Sequence, residues 1–269
     1  MITGHDDVHG PLPEIAQYFY VDPTQEFKPA LYDHPRRKTV PRPLVIYDDI
    51  VYRPVNTTKP FRSTEPFKIG TFGFGQAAKQ MDKIVSLIND QCKNFEVEFR
   101  MQISPGDYIS DYQPIEIIEK CGKIANQNVK IWTSVDYVPD RKNLIRWLNR
   151  NDINIFAYQD MPWRNAVSSS LDLALSAKKP VALIYGSMFK HVFDVPEIFL
   201  FDTERWDPIL GKRGPRFETE EELKLALDQN YSRTIMGIYE QGLEPLQQLY
   251  VKWSEQNFID AFEREFDTL

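Results

Sequence analysis

The sequence predicts an α/β fold in which a parallel sheet is doubly wound by helices. From Phe67 onward, apolar runs of strand length alternate with segments of helical periodicity, the pattern of successive βαβ units. Several strand segments, at 156–158, 181–185 and 198–201, are almost continuously apolar, as burial on both faces requires. The 269 residues carry a hydrophobic fraction of 42%, enough for the core of one large domain or two smaller ones.

The elements are read in order. FKIGTFGF at 67–74 is a strand, and 77–92 is a helix with Met81, Ile84, Val85 and Ile88 on one face, the spacing that buries a helical stripe. A strand at 97–104 and a helix at 115–127 follow. The strand at 129–135 leads to a helix at 140–151, and the strand at 153–159 to a helix at 168–179 that opens on serines. A strand at 180–185 and an edge strand at 197–202 complete the sheet. Two helices, near 219–241 and 244–266, close the chain. There is no internal repeat.

Residues 1–65 are of another kind. Nine of the 19 prolines fall here, at 11, 13, 23, 29, 35, 41, 43, 54 and 60. Proline removes a backbone donor and is excluded from regular helix and central strand. The zone is expected to be an extended, irregular arm that packs through Tyr18, Phe19, Tyr20, Phe27 and Tyr32. Its one helix candidate is Pro13 to Tyr20, and its one strand candidate is Leu44 to Tyr52. The division is therefore an arm at 1–65 and a domain at 66–269.

The formal net charge of −7 argues against a nucleic-acid footprint, which needs clustered cations. Arg36-Arg37-Lys38 and Lys212-Arg213 are read as solvated loops. No apolar run of about 18 residues occurs, so no membrane span is expected. The N-terminus lacks the basic and then apolar pattern of a secretion signal, and a cytoplasmic location is expected. Cys92 and Cys121 are read as free, partly buried thiols. No Cys/His spacing indicates a metal site.

Ligands of an open α/β sheet bind beyond the carboxyl ends of its strands, and two loops there suit a phosphate. The first runs from Gly70 to Lys79. Gly73 and Gly75 allow close backbone approach, the following helix offers free N–H groups to an anion, and Lys79 adds a charge. The spacing is neither a Walker motif nor a dinucleotide fingerprint, and the same glycines serve equally as a structural turn. The second loop runs from Asp160 to Val181. Ser168, Ser169 and Ser170 open a helix after a buried strand, where they either cap it or bind phosphate. Trp163 and Arg164 stand beside them, ready to stack on a ring or to pack on a neighbour.

Three further groups carry titratable side chains. His5, Asp6 and His9 suit a catalytic base or a solvated terminus. Asp48-Asp49 follow the strand-like LVIY and suit a base or a turn. His191 reads as a helix-surface histidine.

The runs FGFGQAAKQMDKIVSLI, VKIWTSVDYVPDRKNLIRWLNRNDINIFAYQD and NAVSSSLDLALSAKKPVALIYGSMFKHV, in that order, together with the Trp253 tail, resemble the C-terminal, nucleotide-sugar-binding half of GT-B glycosyltransferases, family 4-like. The resemblance covers about Phe67–Leu269. It implies a Rossmann-like domain and a sugar transfer from a nucleotide-sugar, with no metal and no other cofactor. It places Gly73, Phe74, Gly75 and Lys79 at the donor diphosphate. Ser134, Val135 and Asp136 fall near the base and ribose, and Tyr158, Asn165, Ser168, Ser169 and Ser170 at the sugar and phosphates.

Two departures stand out. Retaining members carry two glutamates across the donor loop and helix, and the matching positions here are Asn165 and Leu173. An acceptor-binding domain is expected ahead of the donor half, and only the proline-rich arm stands there. A non-catalytic binding or structural subunit, and a transferase completed by a partner chain or a second copy contacting the arm, are the competing readings.

Overall fold

Five parallel strands form the central sheet: β3 (Phe67–Phe74), β4 (Val97–Ser104), β5 (Val129–Ser134), β6 (Ile153–Phe156) and β7 (Val181–Leu183), in the spatial order β5-β4-β3-β6-β7. The numbering allows for a separate two-stranded parallel pair, β1 (Tyr18–Val21) and β2 (Arg37–Val40). The computed structural model describes residues 18–21, 37–40, 43–56, 64–104, 113–136, 138, 140–159, 168–202, 206–207, 212–213 and 219–267.

Helices cover both faces, as expected of a doubly wound sheet. On one face lie α1 (Met81–Gln91), α2 (Pro114–Ile124) and, from the C-terminal part, α6 (Ile235–Gln241). Met81, Ile84, Val85 and Ile88 of α1 are buried against Phe67, Ile69, Phe99 and Ile155. On the other face lie α3 (Arg141–Asn149) and α4 (Ser170–Ser176), whose Ile145, Leu148, Leu171 and Leu175 meet Phe72, Phe156 and Trp253. Alternation along β3 makes this possible, with Phe67 and Ile69 facing one layer and Phe72 the other. Completing the chain are the short antiparallel pair β8 (Trp206–Asp207) and β9 (Lys212–Arg213), then α5 (Glu220–Gln229), α7 (Gln247–Lys252) and α8 (Glu255–Asp267). No helix among the described residues is long and apolar enough to cross a membrane.

Five expectations need correction. The end of the helix candidate at Pro13 to Tyr20 is instead part of a strand, Tyr18–Val21, paired in parallel with Arg37–Val40; the run YFYV is aromatic and β-branched, the composition of strands. Leu44 to Tyr52 is not a strand. Its backbone is irregular with a turn at Asp48-Asp49, and it is held by the Leu44 N–H on the Trp253 carbonyl at 2.8 Å. Leu44 and Ile50 are buried in the second core layer, with Tyr47 and Tyr52 packed against it.

The segment 197–202 makes one bridge, Leu183 to Phe199, beside a 3-10 turn at Pro196–Ile198. Proline opens that turn, and no ladder extends from the bridge. The helix drawn over 77–92 is split: a 3-10 turn at Ala77–Lys79 ends at Gln80, whose φ of 47° is left-handed, and α1 starts after it. The two closing helices are likewise broken, the first at Tyr231–Arg233 before the Thr234 cap of α6, the second at the Pro245 turn Glu244–Leu246 and again at Trp253 between α7 and α8.

Candidate functional site

The strand order reverses between β3 and β6. Crossovers leave in opposite directions from such a point, which opens a crevice at the carboxyl ends of the two strands. The carboxyl end of β3 runs into the glycine turn and that of β6 into 157–159. The two are joined directly. The Gln159 N–H donates to the Ala78 carbonyl at 2.7 Å, and the Lys79 ammonium donates to the Tyr158 hydroxyl while lying 4.2 Å from that ring's centroid.

Gly73 makes this arrangement possible. Its φ is 142°, a conformation side-chain-bearing residues rarely adopt, and a Cβ there would stand 2.9 Å from Lys79 Nζ. Gly75 serves close approach. A Cβ would stand 2.9 Å from Pro114 Cα at the start of α2, and the Gln113 N–H donates to the Gly75 carbonyl at 2.6 Å. Phe74, between them, is half-buried. Lys79 lies in the 3-10 turn before α1 rather than in the first turn of that helix.

The serines divide into two roles. Ser168 and Ser170 are buried and Ser169 is exposed. Ser168 Oγ donates to the Tyr158 hydroxyl at 3.0 Å and accepts from the Ser170 N–H at 3.2 Å. Ser170 Oγ lies 3.2 Å from the same hydroxyl. One phenol oxygen thus gathers an ammonium and two hydroxyls. Its ring meets Phe189 edge-on at 5.2 Å. Burial pushes the Tyr158 hydroxyl up, yet Lys79 and the two serines outweigh it and leave the group below the ordinary tyrosine value.

Ser134 ends β5 and Val135 and Asp136 follow it, two strands along the same rim from the glycine turn, a separation of roughly 10 Å at ordinary strand spacing. Ser134 Oγ donates to the Asp136 carboxylate at 3.2 Å. The buried Gln102 side chain donates to the Asp136 carbonyl at 2.6 Å and sets that turn. These three residues therefore share the carboxyl rim with Lys79, Tyr158 and the serines, on the side away from β6.

His5, Asp6, His9, Trp163, Arg164 and Asn165 lie outside the described residues. Leu173, on α4, packs against the second core layer. His191 is not on the surface: it is 3% exposed and stacks on Trp253 with centroids 5.7 Å apart. Asp49 lies on the outside of α3 with Lys142 as its partner.

Four contributors carry no signal that the sequence reading used. Gln159 and Ala78 act through their backbones, which no side-chain pattern records. Gln102 hides in a strand as a buried amide. Asp202 is 3% exposed and pairs with Lys83 at 3.0 Å, beyond the level where β7 ends; its signal was a lone acid closing the apolar run 198–201.

No protein-family model matches the chain, and no curated protein matches it. Solved structures do. A structure of OtsA described as trehalose-6-phosphate synthase matches with a TM-score of 0.52 at 12% identity, over 87% of this chain and 50% of that one. OtsA in its apo form matches with a TM-score of 0.51 at 13% identity, over 87% and 51%. The chain thus spans about half the length of these proteins. The likeness establishes the fold, a Rossmann-like domain of the kind that makes one half of a GT-B glycosyltransferase.

Proposed function

We propose that the domain holds a nucleotide-sugar along the carboxyl rim of its sheet and gives the sugar to an acceptor, as a hexosyl-type transferase that needs no metal. One observation carries the reading: the glycine turn and residues 157–159 meet at the strand-order reversal, joined by Gln159 to Ala78 and Lys79 to Tyr158, with Ser168 and Ser170 on the same hydroxyl.

In this reading the bare backbone at Gly73 lets a pyrophosphate come close, Gly75 holds the turn against the start of α2, Phe74 lines the turn, and Lys79 supplies full charge. Ser169 faces the sugar side, while Ser168 and Ser170 act through Tyr158. Asp136 accepts from ribose hydroxyls, with Ser134 and Val135 beside the base. Asn165 is assigned to the sugar. During transfer the bond between the anomeric carbon and the phosphate oxygen breaks. The acceptor oxygen bonds that carbon, and its proton passes to a base, for which His5, Asp6 and His9 are the candidates. Charge building on the departing diphosphate meets Lys79 and fixed amide dipoles, which is electrostatic stabilisation in place before the reaction.

A second reading has one observation in its favour. Leu173, partly buried against the second core layer, stands where retaining glycosyltransferases are expected to carry an acid. A domain that binds a nucleotide-sugar without transferring it, or that works only with a partner chain or second copy on its N-terminal arm, follows from that. Calorimetry with UDP, GDP and their sugars tests the binding. Saturable heat with one of them supports the assignment, and silence across the panel from folded protein removes it. A turnover assay on the ligand that binds then separates transferase from binder.

A further inference from the structure

The Tyr158 hydroxyl is surrounded by more hydrogen than a plain structural tyrosine needs. It stands among the Lys79 ammonium, the Ser168 hydroxyl at 3.0 Å and the Ser170 hydroxyl at 3.2 Å. A lysine ammonium only donates, and a serine hydroxyl rotates to donate or accept. Ser168 accepts from the Ser170 N–H, so its own proton is directed at Tyr158.

Two protonation states therefore fit without any unsatisfied group. The neutral phenol accepts from Lys79 and Ser168 and donates to Ser170. The phenolate accepts from all three once the Ser170 hydroxyl turns. Removing the ammonium breaks this balance, because a buried anion left with two neutral donors is costly.

We propose that Lys79 and Tyr158 form a ligand-released pair: a phosphate entering the glycine turn takes the ammonium from the Tyr158 phenolate, whose oxygen then takes up a proton from solvent and becomes the neutral hydroxyl. The inference rests on the donor reading above and adds a linkage to it. Phosphate and phenolate compete for one cation. Lys79 is half-exposed and lies over the bare backbone of Gly73, so its head can turn to the rim without moving the turn. Binding of the anion is then accompanied by a gain of up to one proton at Tyr158, and grows weaker as pH rises through the range where that phenol ionises.

The surroundings of Tyr158 leave Lys79 in control. From the glycine turn the charged group facing the hydroxyl is Lys79. From the start of α4 come the neutral Ser168 and Ser170, with Asp172 further along the helix. From the turn at Ser187–Val192 comes the Phe189 ring, while His191 of that turn is stacked on Trp253 and Lys190 flanks it. Among the described residues, Lys79 is the charge that lowers the Tyr158 hydroxyl against the opposing effect of burial.

The test follows tyrosinate absorbance against pH in the full chain, with and without inorganic pyrophosphate, alongside calorimetry with the same probe. The chain has 13 tyrosines. One transition is expected below the others, absent in Tyr158→Phe and shifted upward in Lys79→Met. Pyrophosphate is expected to move that wild-type transition upward by about one pH unit, a tenfold change in proton affinity, and to leave Lys79→Met unmoved. A Tyr158 transition that coincides with the other tyrosines overturns the pair. Pyrophosphate that binds without moving the transition overturns the release step while the donor reading stands. Pyrophosphate that fails to bind removes the donor reading and the release step together, and the ligand-free transition still decides whether the pair exists.

Discussion

The Gln159 N–H donates to the Ala78 carbonyl at 2.7 Å, so the end of one central strand is bonded to the turn that leaves its neighbour. Two segments 81 positions apart in the chain are thereby fixed side by side at the rim of the sheet. Lys79 and Tyr158, each next to one of the bonded residues, meet as a consequence.

Lys79→Ala is expected to weaken binding of a nucleoside diphosphate about tenfold to a hundredfold. A charge-assisted hydrogen bond contributes about 1.5–3 kcal/mol, and calorimetry with UDP and GDP measures it. Affinity equal to wild type would take Lys79 out of the site.

Gly73→Ala acts on conformation and room together. At φ 142° an alanine is strained, and its Cβ would stand 2.9 Å from Lys79 Nζ. We expect a loss of about 1–3 kcal/mol in stability and weaker ligand binding. Urea unfolding beside a binding titration checks both, and a variant as stable as wild type would show that the turn relaxes.

Trp253→Ala removes a side chain that is 1% exposed and stacked on His191, from the layer that also holds α3 and α4. Truncating a buried tryptophan costs about 3–5 kcal/mol. The urea midpoint should fall accordingly, and a shift under about 1 kcal/mol would mean that the tail is not part of the core.

Cys92 and Cys121 are buried free thiols. Burial raises both, Cys121 from 9.0 to about 12 and Cys92 further. A raised folded value means the unfolded chain loses its proton first. Each thiol's contribution is therefore complete below about pH 9 and declines as pH rises from there through the folded value. Alkylation at neutral pH should be slow in native protein and fast in urea. Rapid labelling of the native chain would contradict the burial of both groups.

Much of the sheet was readable in the sequence because burial leaves a plain signal. The runs 67–74 and 97–104 have the observed bounds of β3 and β4, and the α1 stripe at Met81, Ile84, Val85 and Ile88 faces the core as its spacing requires. What was hidden depends on single backbone angles or distant partners. Gln80 breaks a helical pattern with one left-handed residue. Leu44 to Tyr52 has a strand-like pattern, but its Leu44 N–H is taken by Trp253 from the far end of the chain. At the rim, the glycines and serines marked the right loops. The inward turn of Ser168 and Ser170 follows from Tyr158, which no local spacing reveals.

The central claim is that one diphosphate lies where the glycine turn meets the segment after β6. Hydrogen exchange, resolved by peptide, with and without a saturating nucleoside diphosphate tests it most directly. Added protection is expected in peptides spanning 73–80 and 157–170, with none at 149–152, at the opposite, amino-end edge of the sheet. Ligand that binds while both rim segments exchange as before, or that protects the opposite edge instead, would contradict it.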